Sequence, residues 1–86
     1  MARVRVEFFG TARLRAETPE RTVIAATVRA ALIAVMQAFP RLELLRDGEI
    51  AKEFLLSVNG GRFVDVIEAR LNDGDCLVIL GADAGG

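Results

Sequence analysis

The sequence ends in two glycines, Gly85 and Gly86, and these residues have the clearest potential for chemistry. Glycine has no Cβ, so both residues could enter a channel too narrow for any side chain. A carboxylate at the end of such a tail is ionised at neutral pH, since its ordinary pKa is about 3.3–3.7. It could attack an activated phosphate, so we expect a carrier whose working group is its own C-terminus. The alternative is a frayed terminus with no role, because chain termini are commonly disordered.

The other residue types that usually carry chemistry are scarce. The chain has no histidine and a single cysteine, Cys76, so an internal disulfide, a cysteine metal site and a histidine-based triad are all excluded within it. Cys76 lies in the apolar run DCLVIL, and we interpret it as a structural residue. The lack of a catalytic constellation or a metal site predicts a protein co-substrate rather than an enzyme.

Composition predicts one folded domain. The 86 residues are 52% hydrophobic and 27% charged, which is typical of an ordinary globular chain. A net charge of −1 leaves no basic footprint, so we expect no nucleic-acid partner. No segment approaches the roughly 20 apolar residues of a membrane span, and the start does not resemble a secretory signal. We therefore expect no membrane partner and a cytoplasmic location.

Alternating apolar residues predict five strands. The first, at 3–8, directs Val4, Val6 and Phe8 to one face, and Phe9 then falls on the opposite, charged face. The other predicted strands are 21–25, 54–59, 62–66 and 76–80, with a tight turn at Gly60-Gly61 between the third and fourth.

One main helix separates the second and third strands. Thr27 is a suitable N-cap, and an apolar stripe at helical spacing runs from Val28 to Phe39. Pro40 ends the helix because the residue before a proline disfavours the α region. A short helical turn is predicted at 12–16, and 41–53 is predicted to be an irregular loop with a turn at Asp47-Gly48.

A single helix can cover only one face of the sheet, so apolar residues on the other face are informative. Phe9 is one of them. The last strand must add either Cys76, Val78 and Leu80 or Leu77 and Ile79 to that face. Exposed apolar patches often mark partner surfaces, so we expect one near the root of the tail. The alternative is that the loop at 41–53 covers it.

The pattern as a whole resembles the ubiquitin-like β-grasp sulfur carriers, which include MoaD, the small subunit of molybdopterin synthase, and the thiamine carrier ThiS. The residues that carry the resemblance are Val6-Glu7-Phe8-Phe9, Thr27-Val28, Phe39-Pro40, Val58-Asn59-Gly60, Leu71-Asn72-Asp73-Gly74-Asp75 and Gly85-Gly86. The resemblance implies an α+β, β-grasp fold with a mixed four- to five-stranded sheet and one main helix on one face. The domain would span 1–80, followed by a flexible tail at 81–86. Length and loop lengths are closest to MoaD.

The resemblance also implies a mechanism. An E1-like activating enzyme of the MoeB or ThiF type would use ATP to adenylate the Gly86 carboxylate, and a sulfur donor would then displace AMP to leave a thiocarboxylate. The recipient would be the large subunit of molybdopterin synthase, of the MoaE type, and the chain would bind no cofactor of its own. The matching docking residues are Phe9, Val78 and Leu80. The matching tail residues, which would enter the partner's channel, are Gly81, Ala82, Asp83, Ala84 and Gly85.

The tail departs from the family pattern in one respect. MoaD-like tails often carry two prolines directly after the last strand, whereas Gly81 and Ala82 occupy those positions and Asp83 adds a charge. A more flexible tail costs more ordering entropy on docking. Three alternatives therefore stay open: a carrier for another pathway, such as tRNA thiolation, thiamine or cysteine synthesis; a ubiquitin-like modifier; and a β-grasp binding module with an incidental diglycine.

Overall fold

The computed structural model describes residues 2–61 and 63–81 of the chain. Within them the elements follow the order β1 (Ala2–Phe9), α1 (Thr11–Ala16), β2 (Glu20–Ala25), α2 (Val28–Ala38), β3 (Leu45–Arg46), β4 (Glu49–Ile50), β5 (Phe54–Val58) and β6 (Cys76–Gly81). Four of the strands form the main sheet, in the order β2-β1-β6-β5. The pairing of β1 with β6 is parallel and the other two pairings are antiparallel, so the sheet is mixed, as the resemblance implied.

The main helix forms where the sequence predicts it. The Thr27 hydroxyl accepts a hydrogen bond from the Ala30 amide at 3.2 Å, which satisfies one of the unpaired amides of the first turn of α2. The buried stripe of α2 consists of Val28, Ala31, Leu32 and Val35. These side chains pack in one cluster with Val4, Val6 and Phe8 of β1 and with Leu77 and Ile79 of β6. The core therefore lies between α2 and one face of the sheet.

The prediction of a strand at 62–66 is wrong for the residues of that range that the structure describes, 63–66. Phe63 forms only an isolated bridge with Ser57, and the chain then leaves the sheet. The reason lies at the start of α2, whose first amides need partners. Val28 N donates to Ala69 O at 3.0 Å and Arg29 N donates to Ile67 O at 2.8 Å, so the chain after residue 66 caps the helix instead of extending the ladder.

The segment at 41–53 is more ordered than predicted. It contains the β3–β4 hairpin, whose turn residues Asp47 and Gly48 both have positive φ, as a two-residue turn of type I′ requires. Leu42 and Leu44 are fully buried in the core cluster, which holds the segment on the side of α2. The alternative that this segment covers the other face is wrong at Phe9, which is 44% exposed.

Two motifs of the sequence meet at the end of the sheet where β6 begins. Asn59 accepts a hydrogen bond from Cys76 N at 2.9 Å and donates through Nδ2 to Asp75 Oδ1 at 3.0 Å. The other carboxylate oxygen of Asp75 accepts from Asn72 N at 2.7 Å. These bonds, that from Asn72 first, hold the pKa of Asp75 below its ordinary value. The network fastens the end of β5 to the start of β6.

Replacing Asp75 with Asn should flatten the acid side of the stability profile. The lowered pKa means that Asp75 stabilises the fold at pH values above its unfolded pKa, about 3.9 for an aspartate, and that this contribution is lost as the pH falls through the lower folded-state value. The melting temperature of Asp75→Asn should therefore lie below that of the unchanged chain at neutral pH, and the gap should narrow in acid. Asp65→Asn, at an exposed carboxylate, is the control and should show no such gap. A gap that is the same at every pH would contradict the assignment.

Candidate partner-binding face and tail root

The candidate site lies on the sheet face opposite α2, at the end of the sheet where β6 finishes. The registers of β1, β6 and β5 align Phe9, Leu80 and Leu55 in one line across three strands, which we call the apolar row. Phe9 is 44% exposed, Leu55 is 37% exposed and Leu80 is half-buried. A row of three large apolar side chains, two exposed and one half-buried, is a surface that another protein can cover.

The face becomes more polar with distance from the apolar row. In the next line, half-buried Val78 lies between Glu7 and Ser57, and in the line after that Cys76 pairs with Arg5. Arg5 and Glu7 form an ion pair at 3.2 Å along β1. An apolar centre beside a charged margin is the usual composition of a protein–protein interface.

The structure selects between the two alternatives for the last strand. Leu77 and Ile79 are fully buried, so Cys76, Val78 and Leu80 share the open face with Phe9, and the predicted positions of Phe9, Val78 and Leu80 are confirmed. Their role in docking stays a prediction. Sequence reasoning missed Leu55, although buried Phe54 and Leu56 on either side of it place Leu55 on the open face by the period-two rule.

The prediction that Gly81 belongs to the tail is wrong, because Gly81 is the last residue of β6. It is buried and pairs with Phe54 of β5. A Cβ at this position would lie 2.9 Å from Thr11 N and would overlap the Thr11 hydroxyl, so α1 can approach the strand only because Gly81 has no side chain. The sequence predicts a flexible position here, whereas the packing of α1 requires the glycine. The residues at 82–86, which include the predicted chemical group at Gly86, lie outside the described residues.

Gly10, which lies against Gly81 in the fold, must also lack a side chain. Gly10 joins β1 to α1 with φ of 63°, and a Cβ there would lie 3.1 Å from Gly81 O. The end of β1, the start of α1 and the end of β6 therefore meet by backbone contact. The point from which residues 82–86 continue is fixed beside the apolar row.

The surroundings of Cys76 do not activate its thiol as a nucleophile. Burial raises the pKa of its thiol, and a hydrogen bond with Arg5 offsets only part of that effect. The thiol is therefore protonated at neutral pH, in agreement with the structural interpretation. Among the residues that the structure describes, no group of three or more His, Cys, Asp or Glu could hold a metal ion, and no helix has the length and apolarity to cross a membrane.

Solved structures provide the comparison. No protein-family model matches the sequence, and no curated protein matches it either. Small archaeal modifier protein 1 of Methanosarcina acetivorans is 26% identical, with 100% of this chain and 98% of that chain covered and a TM-score of 0.86. A chain of the Amycolatopsis orientalis BexX/CysO complex is 27% identical, with 96% and 99% covered and a TM-score of 0.79. The putative molybdopterin converting factor subunit 1 of Pyrococcus furiosus, 22% identical with 94% and 98% covered, shares the fold at a TM-score of 0.77.

The chain therefore has the ubiquitin-like β-grasp fold of the MoaD/ThiS type. The fold class expected from the sequence is confirmed. The relatives are named as a modifier protein and as a converting-factor subunit. These names agree with the expectation that the β-grasp chain is a protein co-substrate rather than an enzyme.

Gly81→Ala should destabilise the β-grasp domain by about 1–3 kcal/mol, because the added methyl forces α1 away from β6. The free energy of unfolding in urea measures the effect. Gly61→Ala is the matched control: Gly61 also lies outside the positive-φ region, and its Cβ would meet only Val58 O at 3.3 Å. Equal stability of Gly81→Ala and the unchanged chain would show that α1 shifts without cost.

Proposed function

We propose that the chain is a sulfur carrier whose Gly86 carboxylate is adenylated by an E1-like activating enzyme and then converted to a thiocarboxylate. The observation that carries the proposal is the apolar row beside Gly81. The row forms an exposed docking surface next to Gly81. Gly81 is the fixed point from which five more residues continue, the last two being Gly85-Gly86. The β-grasp fold shared with modifier and converting-factor proteins supports it.

The chemistry needs little from the chain beyond presentation of its terminus. A carboxylate is a poor electrophile, so one of its oxygens would attack the α-phosphorus of ATP and release pyrophosphate. The acyl adenylate then carries a good leaving group. A hydrosulfide supplied by the donor would attack the acyl carbon, so that a C–S bond forms, AMP leaves with the C–O electron pair, and the thiocarboxylate results. The activating enzyme uses the ATP, and the chain binds no cofactor itself.

The apolar row would bind the partner that performs these steps. Phe9, Leu80 and Leu55 bury their exposed area there, while the Arg5–Glu7 pair lies toward the polar margin of the contact. Glycines at 85 and 86 suit a narrow channel, because neither presents a side chain to its walls. Assembly of a similar chain in the BexX/CysO complex supports a protein partner.

For the destination of the sulfur we propose the large subunit of molybdopterin synthase, which would pass it to a pterin precursor. The loop lengths that resemble MoaD and the fold shared with a putative molybdopterin converting factor subunit support this choice. A second candidate is a ubiquitin-like modifier whose Gly86 is joined to lysines of other proteins. Its specific support is the 26% identity to a small archaeal modifier protein over the whole chain.

Incubation with ATP, the activating enzyme and a sulfur donor should yield a species with one oxygen replaced by sulfur at the C-terminus. Intact mass measurement detects it. Deletion of Gly86 should abolish this species and leave the melting temperature unchanged, because β6 ends at Gly81. Ala82→Gly, which alters the tail without shortening it, is the control and should still be modified. Failure of the unchanged chain to form the species would overturn the carrier role.

Phe9→Asp should weaken binding to the activating enzyme at least tenfold, roughly 1.4 kcal/mol, because it places a charge in the apolar row. The free energy of unfolding should fall by about 1 kcal/mol or less, since Phe9 is 44% exposed. Titration calorimetry and urea unfolding measure the two effects. Ile33→Asp is the matched control, because Ile33 is 41% exposed but lies on α2, on the other side of the sheet. A Phe9→Asp protein that does not fold would instead make Phe9 a core residue.

The modifier candidate makes a distinct prediction. Arg70 is the last basic residue of the sequence, so trypsin would leave the whole segment 71–86 attached to a target lysine, not a diglycine. A search of digested cell protein for that remnant tests the candidate. Thiocarboxylate on the purified chain without any such remnant would favour the carrier alone.

A further inference from the structure

Asn59 and Gly60 lie in the turn that follows β5, and this pair of residues can react without any partner. The backbone nitrogen after an asparagine can attack the side-chain amide carbon and close a five-membered ring. Glycine hinders that attack least, because no Cβ stands beside the nitrogen. The chain has two asparagines, and the other, Asn72, is followed by Asp73. Asn59-Gly60 is therefore the one pair in the chain suited to this reaction.

The attacking group, the Gly60 amide nitrogen, is open to solvent. Gly60 is exposed, and apart from its chain neighbours no atom lies within 4 Å of the position that a Cβ would take. With the residues that the structure describes, its amide forms no hydrogen bond, whereas the next amide, Gly61 N, donates to Val58 O at 3.0 Å. Hydroxide can therefore remove the Gly60 amide proton, which makes the nitrogen a nucleophile.

The attacked group, the Asn59 side-chain amide, is held at both ends. Its Oδ1 accepts from Cys76 N at 2.9 Å, and its Nδ2 donates to Asp75 Oδ1 at 3.0 Å. Asp75 is fixed in turn, since its other carboxylate oxygen accepts from Asn72 N at 2.7 Å. Hydrogen bonds at both ends of a planar amide oppose its rotation, and a nucleophile approaches an amide carbon through the face of that plane. The network therefore sets the direction of that face.

We propose that Asn59 is a deamidation site that its hydrogen bond to Asp75 keeps closed. When that bond breaks, the side chain rotates and the deprotonated Gly60 N attacks Asn59 Cγ. A C–N bond forms, the bond from Cγ to Nδ2 breaks, and ammonia leaves with the electron pair and a proton from water. Water then opens the succinimide ring at either carbonyl carbon, which gives aspartate or isoaspartate at position 59. The reaction needs no partner protein, so it is independent of the proposed carrier role.

The product of this reaction cannot restore the network. A carboxylate at position 59 has no donor for Asp75, and two carboxylates in this position repel each other. The new charge also lies beside Cys76 and Arg5, because Asn59 N donates to Cys76 O at 2.8 Å and Cys76 pairs with Arg5. A brief opening at the start of β6 is thus converted into a permanent change at the polar margin of the open face.

The test incubates the full chain in mildly alkaline buffer, folded and in urea, and digests samples with trypsin. The digest separates the two asparagines, with Asn59 in 53–62 and Asn72 in 71–86. Peptide 53–62 should gain the mass difference between a hydroxyl and an amino group and split into two chromatographic peaks, aspartate and isoaspartate. In urea, where no network exists, the gain should be at least about tenfold faster, the factor that a hydrogen bond to a charged group typically contributes. Peptide 71–86 is the internal control and should change much more slowly in urea.

Two variants of the folded chain isolate the role of Asp75. Asp75→Ala removes the acceptor of Asn59 Nδ2 and should speed the modification about tenfold. Asp73→Ala is the matched control, because Asp73 Oδ1 accepts from Arg3 N at 2.8 Å in the same turn and forms no bond with Asn59; it should leave the rate unchanged. Melting temperatures establish that both variants are folded. Asp75→Asn, which keeps the shape and removes the charge, replaces Asp75→Ala if that protein does not fold, and should give a smaller acceleration.

The outcomes that contradict the proposal are distinct. A peptide 53–62 that stays unmodified in urea would show that Asn59-Gly60 is not a deamidation site. Equal rates in the folded chain and in urea would show that the network does not close the site. Equal acceleration by Asp75→Ala and Asp73→Ala would assign the effect to a weakened turn and overturn the role of Asp75.

Discussion

The parallel pairing of β1 with β6 joins the first strand of the chain to the last, and the other features of the candidate site depend on it. The register places Val6 beside Leu77 and Phe8 beside Ile79 on the buried face, and Phe9 beside Leu80 on the open face. Because side chains alternate along both strands, one pairing builds the floor of the core and the apolar row together. A slip of one residue would bury Phe9 and expose Phe8.

Backbone contacts at the end of this pairing define where the domain stops. Gly10 and Gly81 allow β1, α1 and β6 to meet without side chains between them. Any segment that becomes ordered on binding loses conformational entropy, and a fixed root limits that loss to the residues beyond it. In this chain the root is fixed by packing against α1, whereas the prolines of MoaD-like tails would stiffen the exit covalently.

Polar groups at the two ends of the sheet have different functions. At the start of β6, the Asn59–Asp75 network satisfies backbone amides and joins two turns, so its charged residue serves the fold. The residues of this network match family motifs of the sequence, and the network gives that match a structural cause. Near the end of β6, the open face carries apolar side chains that the fold does not need to expose. Exposed apolar area without a structural role is the feature that points to a partner.

Sequence reasoning recovered the elements whose signals are local. The alternation in β1, the Thr27 cap and the stripe of α2 each depend on residues close together in the chain, so the class of fold and the exposure of Phe9 follow from the sequence alone. Only the tertiary structure decided three other points: Ile67 and Ala69 cap α2 where the chain leaves the sheet, Leu55 completes the apolar row, and Gly81 belongs to β6. Each of these points depends on a group that is distant in sequence: an unpaired helix amide, a paired strand or a neighbouring helix. A local sequence pattern does not encode which distant group will lie against a given residue.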